Sequence, residues 1–254
     1  MRAQNEQSKR HPPYYRVTVL AFSFIFLVRN SEAQKIERYE GILIDTSGSI
    51  SRGGQTNELF AEYLSATRQL LRTEPANSRV WVATISTDSF GGVHEVLKGW
   101  TPDARGVFTD DLNRARAQLA LSFEEKSSFM SPMAAGTDIF GALWRLKAVI
   151  ESDRTIDPSR PKTIWIFSDM VNETRDFLMP ELVKLGPEQM LERAKTNRLV
   201  VPLKGYKIYI YGASPADLTP QIWITLEDFW GMYFVAAGAE LISYSTDCDS
   251  ARQK

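Results

Sequence analysis

Two apolar runs in this 254-residue chain each stop at an aspartate, and that pairing restricts the fold more than any other feature. In GILIDTSGSI (residues 41–50), Ile42, Leu43 and Ile44 lead into Asp45, with Thr46, Ser47 and Ser49 close behind. In KTIWIFSD (residues 162–169) the run ends at Ser168 and Asp169. A run without polar alternation suits a strand covered on both faces, as parallel strands of α/β proteins are. An acid directly after such a strand lies at the carboxyl edge of the sheet, where open α/β sheets bind their ligands.

The rest of the chain continues the alternation. Residues 38–45, 79–86, 93–100, 162–168, 206–212 and 240–245 read as strands, with 93–100 the weakest. Helical spacing predicts helices over 56–72, 109–123, 137–152 and 187–197, and an aromatic helix within 218–238. In that last segment Trp223, Leu226, Trp230 and Tyr233 share a stripe and read as core. The short connection between 79–86 and 93–100 implies a hairpin, hence one antiparallel edge strand. The predicted fold is α/β: a Rossmann-like, three-layer arrangement with a mostly parallel central sheet and helices on both faces. Residues 34–254 are expected to form a single domain.

Composition removes several function classes. With a formal charge of −1, nothing in the bulk charge balance points to nucleic acid, so no nucleic-acid partner is expected. One cysteine, Cys248, cannot form an internal disulfide, and two histidines, His11 and His94, are too few for a histidine-based zinc site. Neither a P-loop nor a GxSxG elbow occurs. At the N-terminus, Arg2, Lys9, Arg10 and Arg16 precede twelve uncharged residues, VTVLAFSFIFLV (17–28), and then Ser31 and Ala33 stand two apart. This is the layout of a secretory signal over residues 1–33, so the protein is expected to be exported, to a periplasmic or extracellular location. The apolar segment is shorter than the roughly 17–25 residues of a membrane span. An uncleaved anchor, with membrane contact only through residues 17–28, is the alternative.

If the strands ending at Asp45 and Asp169 are neighbours, two carboxylates meet the hydroxyls of Ser47, Ser49 and Thr137, the last in AAGTDIFGAL (134–143). Like charges at the end of a buried sheet repel unless a cation neutralises them. Carboxylate and hydroxyl oxygens are hard ligands, suited to Mg²⁺ or Mn²⁺. These residues carry a resemblance: DTSGS matches the D-x-S-x-S motif of the von Willebrand factor type A domain, and residues 38–246 resemble that family throughout. The resemblance implies a metal-ion-dependent adhesion site made of Asp45, Ser47, Ser49, Thr137 and Asp169. It implies that Ser47, Ser49 and often Thr137 touch the metal, that Asp45 and Asp169 act largely through waters, and that a Glu or Asp carboxylate of a partner protein completes the shell. Ser168 and Asp138 are candidates for supporting groups, although Asp138, like Asn172, reads more simply as a solvated loop residue. Thr137 alone could merely cap its helix.

Two departures from the family stand out: the longer glycine-rich SRGGQTNE after the motif, and Met170 where the family often has glycine. The implied function is a non-enzymatic module that captures an acidic side chain of a partner protein. The competing readings are an intracellular adaptor of a partner ATPase, which requires residues 1–33 to be retained, and a metal-dependent hydrolase, for which no histidine stands near the acids.

Overall fold

Side chains of successive strand residues point to opposite faces, and in this chain that alternation divides one sheet between two cores. Tyr39, Leu43, Trp81, Ile164, Ile166, Ile208 and Ile210 face one way, into a core shared with helices α3 (Ile139–Ser152), α5 (Pro187–Thr196) and α6 (Pro220–Ala237). Ile42, Ile44, Val80, Val82, Phe167 and Tyr211 face the other, toward α1 (Thr56–Thr73) and α2 (Asp110–Ser127). The result is three layers, with helices on both faces as predicted. The structure, a computed structural model, describes residues 36–48, 56–92, 95–103, 110–132, 135–153, 157–213, 219–248 and 251. The export segment 1–33, Ser49, Arg52-Gly53-Gly54 and His94 lie outside the described residues.

The sheet comprises β1 (Arg38–Asp45), β2 (Ser78–Ile85), β3 (Glu95–Trp100), β4 (Lys162–Phe167), β7 (Tyr206–Tyr211) and β8 (Glu240–Ser245), in the order β3-β2-β1-β4-β7-β8. All pairings are parallel except β2 with β3, so the expected antiparallel edge strand is present. From β1 the chain builds outward through β2 and β3, then returns to place β4 on the other side of β1. The strand order therefore switches direction between β1 and β4, the crevice where such sheets take their ligands. Asp45 closes β1 and Asp169 follows β4 by two residues, so both acids stand at that crevice.

One region differs from the sequence expectation. Residues 170–186 contain a two-stranded hairpin, β5 (Glu173–Thr174) with β6 (Phe177–Leu178), then the one-turn helix α4 (Met179–Leu182) and a 3-10 turn. Two-residue strands are too short to show alternation, which is why the sequence does not announce them. Among the described residues no helix is long and apolar enough to cross a membrane.

Of the α6 stripe read from the sequence, Leu226, Trp230 and Tyr233 are core, whereas Trp223 is only half-buried and donates its indole N–H to the Ala213 carbonyl at 2.6 Å. Phe229, Trp230, Tyr233 and Phe234 are fully buried, and Phe140 of α3 meets Phe177, Trp230 and Tyr233 at centroid distances of 5.1–5.4 Å. Phe140 thereby ties the helix that follows Thr137 to the hairpin and to α6. Phe140→Ala is expected to destabilise the protein by about 3–5 kcal/mol, read as a lower denaturation midpoint with unchanged slope.

Candidate functional site

Asp45 is fully buried, and both of its oxygens are engaged. Oδ1 accepts from the Ser47 backbone N–H at 2.8 Å, an Asx-type turn that folds the chain back as β1 ends. Oδ2 accepts from the Ser168 hydroxyl at 2.6 Å, which joins the ends of β1 and β4. Ser168, a candidate supporting group in the sequence, is thus in direct contact with Asp45. Its Oγ also accepts from the Met170 N–H at 3.0 Å. Asp169, 3% exposed, accepts from the Val171 N–H at 3.0 Å through Oδ1.

Of the hydroxyls in the opening stretch, Thr46 is structural. Its Oγ1 donates to the Ile85 carbonyl at 2.8 Å, beside the bond from its own N–H to the same oxygen at 3.1 Å. Ser47, on the next position, is fully buried and close enough to Asp45 for its hydroxyl to help hold that carboxylate.

Thr137 arrives from a distant part of the chain and is clamped on both sides. The Glu173 N–H donates to the Thr137 carbonyl at 2.8 Å, tying it to the loop after β4. The Asp138 N–H donates to the Ser86 carbonyl at 2.8 Å, tying it to the end of β2. Since β1 lies between β2 and β4, Thr137 spans the edge at which Asp45 and Ser47 stand. Gly136 makes the approach possible: a Cβ there would lie 2.7 Å from the Glu173 carbonyl oxygen, which is backbone and cannot yield. Thr137 is fully buried, yet its Oγ1 has no hydrogen-bond partner among the described residues.

Three sequence expectations need correction here. Asp138 is not a solvated loop residue. At 8% exposure it is the N-cap of α3, with Oδ1 accepting from Gly141 N–H at 2.8 Å and Oδ2 from Ser89 and Phe90 N–H at 3.0 and 3.2 Å. Thr137 therefore does not cap the helix; the position after it does. Nor is Asn172 solvated. It is fully buried, takes the Ile139 N–H at 2.9 Å on Oδ1, and gives its Nδ2 protons to Thr174 Oγ1 and the Phe177 carbonyl. Burial of this kind depends on tertiary neighbours and leaves no mark in local sequence.

Met170 sits at φ +62°, in the left-handed region that favours glycine, which explains why a glycine would be the simpler residue there. The conformation persists because the side chain is fully buried and the Trp230 indole N–H holds the Met170 carbonyl at 2.9 Å. Beneath the acids, the buried Tyr63 hydroxyl of α1 donates to the Gly212 carbonyl at 3.0 Å. Burial, and then the charges of Asp169 and Asp45, push its own ionisation well above the ordinary range.

Electrostatically the site is short of positive charge. Burial first, and the neighbouring Asp169 second, push the Asp45 carboxyl up to about 7. The donor set is two carboxylates with hydroxyls, one of them an orphaned buried oxygen, and this suits a hard, oxygen-seeking dication. Among the described residues no cluster of three or more His, Cys, Asp or Glu side chains forms, so any metal held here would depend on hydroxyls.

Residues 42–172 match the von Willebrand factor type A domain. Among solved structures the chain is similar to the PilB minor pilin from Streptococcus sanguinis, at 13% identity and a TM-score of 0.51, over 87% of this chain and 60% of the pilin. It also matches the manganese-loaded TRAP protein of Plasmodium vivax (12% identity, TM-score 0.48, 87% of this chain and 72% of that one). A further match is the SpRpn10 VWA domain (12%, 0.42, 86% and 93%). No curated protein matches the chain. At such identities the likeness concerns the fold alone.

Folded Asp45 holds its proton more tightly than the unfolded chain, whose carboxyl keeps the ordinary 3.8. The stability this contributes is fully present below about pH 4 and is lost as the pH rises through about 7. With a chelator present, the Asp45 contribution lowers the melting temperature between about pH 5 and about pH 8, so Asp45→Asn should flatten that dependence. Equal pH dependence in both proteins would remove Asp45 as its source.

Proposed function

The chain belongs to the von Willebrand factor type A family, and we propose that it is an exported, non-enzymatic protein-binding module. In this reading Asp45, Ser47, Ser49, Thr137 and Asp169 form a metal-ion-dependent adhesion site for Mg²⁺ or Mn²⁺. A bound dication would balance the two carboxylates and offer an electrophilic position to a Glu or Asp side chain of a partner protein. The observation that carries the reading is the Thr137 hydroxyl: buried, without a hydrogen-bond partner among the described residues, and clamped over the edge where two buried acids stand. A buried hydroxyl left unpaired is costly, and a cation is a partner that would relieve it and the acids together.

The chain's own residues divide the labour. Asp45, with both oxygens engaged, orients the turn at Ser47 and joins it to Ser168 rather than offering a free carboxylate. Asp138 and Asn172 fix the loop that presents Thr137. The hydrolase reading calls for a histidine beside the acids, and the sequence around Asp45, Thr137 and Asp169 carries none, which favours binding. Export rests on the charged N-terminus followed by residues 17–28. Mass spectrometry of the mature N-terminus separates it from the intracellular adaptor reading.

Calorimetric titration of the full chain with Mg²⁺ and Mn²⁺ should give saturable binding. Thr137→Ala should weaken it by on the order of tenfold or more, and Asp45→Ala should abolish it with the fold intact. Retention of the protein on an immobilised acidic peptide should disappear in EDTA. Retention that survives EDTA would sink the proposal.

A further inference from the structure

A second polar cavity opens at the other edge of the same sheet, where β1, β4 and β7 begin. It has a volume of about 360 Å³ and is bounded on its helical side by the C-terminal end of α1. Its buried acids are Glu40 of β1, 6% exposed, and Glu74, just past α1, 4% exposed. Glu40 Oε2 accepts from the Trp165 indole N–H at 2.8 Å. Glu74 Oε1 is buried with no hydrogen-bond partner among the described residues. Leu70 and the stacked rings of Trp165 and Tyr209, 4.3 Å apart, form the apolar wall. Arg38 and Lys207, both exposed, stand at the mouth.

The chemistry of the cavity is therefore graded, acids within and cations outside, with an apolar stretch between. A buried carboxyl oxygen without a partner is met either by keeping its proton or by a cation that arrives to replace that proton. A group that satisfies both ends must carry a positive head and a negative tail on a short aliphatic stem. We propose that this cavity binds a zwitterion of the basic amino-acid class, its guanidinium or ammonium on Glu74 and Glu40 and its carboxylate between Arg38 and Lys207. The volume lies at the small end of ligand sites, which begin near about 300 Å³. A bare metal ion fits the lining poorly. Among the described residues no three-membered cluster of acids, His or Cys exists.

Protonation gives the site a direction. Burial pushes Glu40 up to about 7, and burial with the neighbouring Glu40 charge pushes Glu74 well above the ordinary carboxylate range. The charged and titratable groups that face this pair are Arg38 on β1, Arg116 on α2, and Lys207 and Tyr209 on β7. A cationic head needs the carboxylate and competes with its proton, so affinity rises with pH across neutrality.

The test is calorimetry on the full chain in EDTA, which silences any metal at the other edge. The probes are L-arginine, L-lysine, agmatine, which lacks the carboxylate, and L-citrulline, whose side chain lacks the positive charge. Arginine or lysine should saturate the site, more tightly at about pH 8 than at about pH 6. Agmatine should bind about tenfold more weakly than arginine, as loss of one charge-assisted pairing implies, and citrulline should not bind. Glu74→Gln should abolish binding. Since Arg38 and Lys207 are exposed, the double variant Arg38→Ala, Lys207→Ala should keep the fold, weaken arginine about tenfold and not weaken agmatine, whose own ammonium no longer faces two cations. Asp45→Ala should bind arginine as the parent does, which keeps this inference separable from the adhesion-site reading. Saturation by neither basic amino acid, or citrulline binding as tightly as arginine, would overturn the proposal.

Discussion

Keeping Asp45 dry beside Asp169 is the constraint around which this molecule is arranged. A carboxylate at the end of an edge strand would simply be solvated. β1 is paired on both sides and covered on both faces, so its last residue has no such escape. The protein answers with local donors: the Ser47 N–H and Ser168 hydroxyl for Asp45, the Val171 N–H for Asp169. These hydrogen bonds soften the cost without removing it, since burial and Asp169 still push the Asp45 carboxyl up to about 7. What remains is a deficit of positive charge at a fixed point in the fold, and that deficit makes the cluster more than a turn.

Holding the deficit in place takes support from far away. The loop after β4 is strained at Met170, and the Trp230 indole of α6 anchors its carbonyl. Asn172 then links that loop to the first turn of α3 and to the β5–β6 hairpin. Asp138 closes the arrangement by capping α3 and holding the Ser89–Phe90 turn. The aromatic cluster of Phe140, Phe177, Phe229, Trp230 and Tyr233 is thus the foundation on which Thr137 and Asp169 are positioned, although none of its rings is itself a candidate ligand.

Much of this was legible in the sequence because it rests on periodicity and on strand ends. Continuous apolar runs marked β1 and β4 as central, helical spacing marked α1 to α3, α5 and α6, and the acids after the two runs marked the edge that matters. The hairpin at residues 173–178 was not legible, for its strands are two residues each. The roles of Asp138 and Asn172 were also hidden. An Asp or Asn near a strand end is usually wet, and only the packing of three separate segments makes these two dry. Glu40 gave no signal at all: one acid in an apolar strand is ordinary unless a second one, Glu74, closes over it from α1.

The strand order also sets a sequence of events. β1 meets β2 some 40 residues along the chain, but its other edge pairs with β4, where Tyr39 and Lys162 are 123 residues apart. Pairing residues so distant carries a larger loop-closure cost than the β1–β2 pairing does, because a longer loop must close before the contact contributes anything. The Ser168 hydroxyl that holds Asp45, and Asp169 beside it, both arrive at the end of β4, so the surroundings of Asp45 are complete only once β4 pairs with β1. The acid pair is therefore assembled by the pairing that joins the two halves of the sheet, so a chain in which β4 has not met β1 lacks the charged cluster of the finished one.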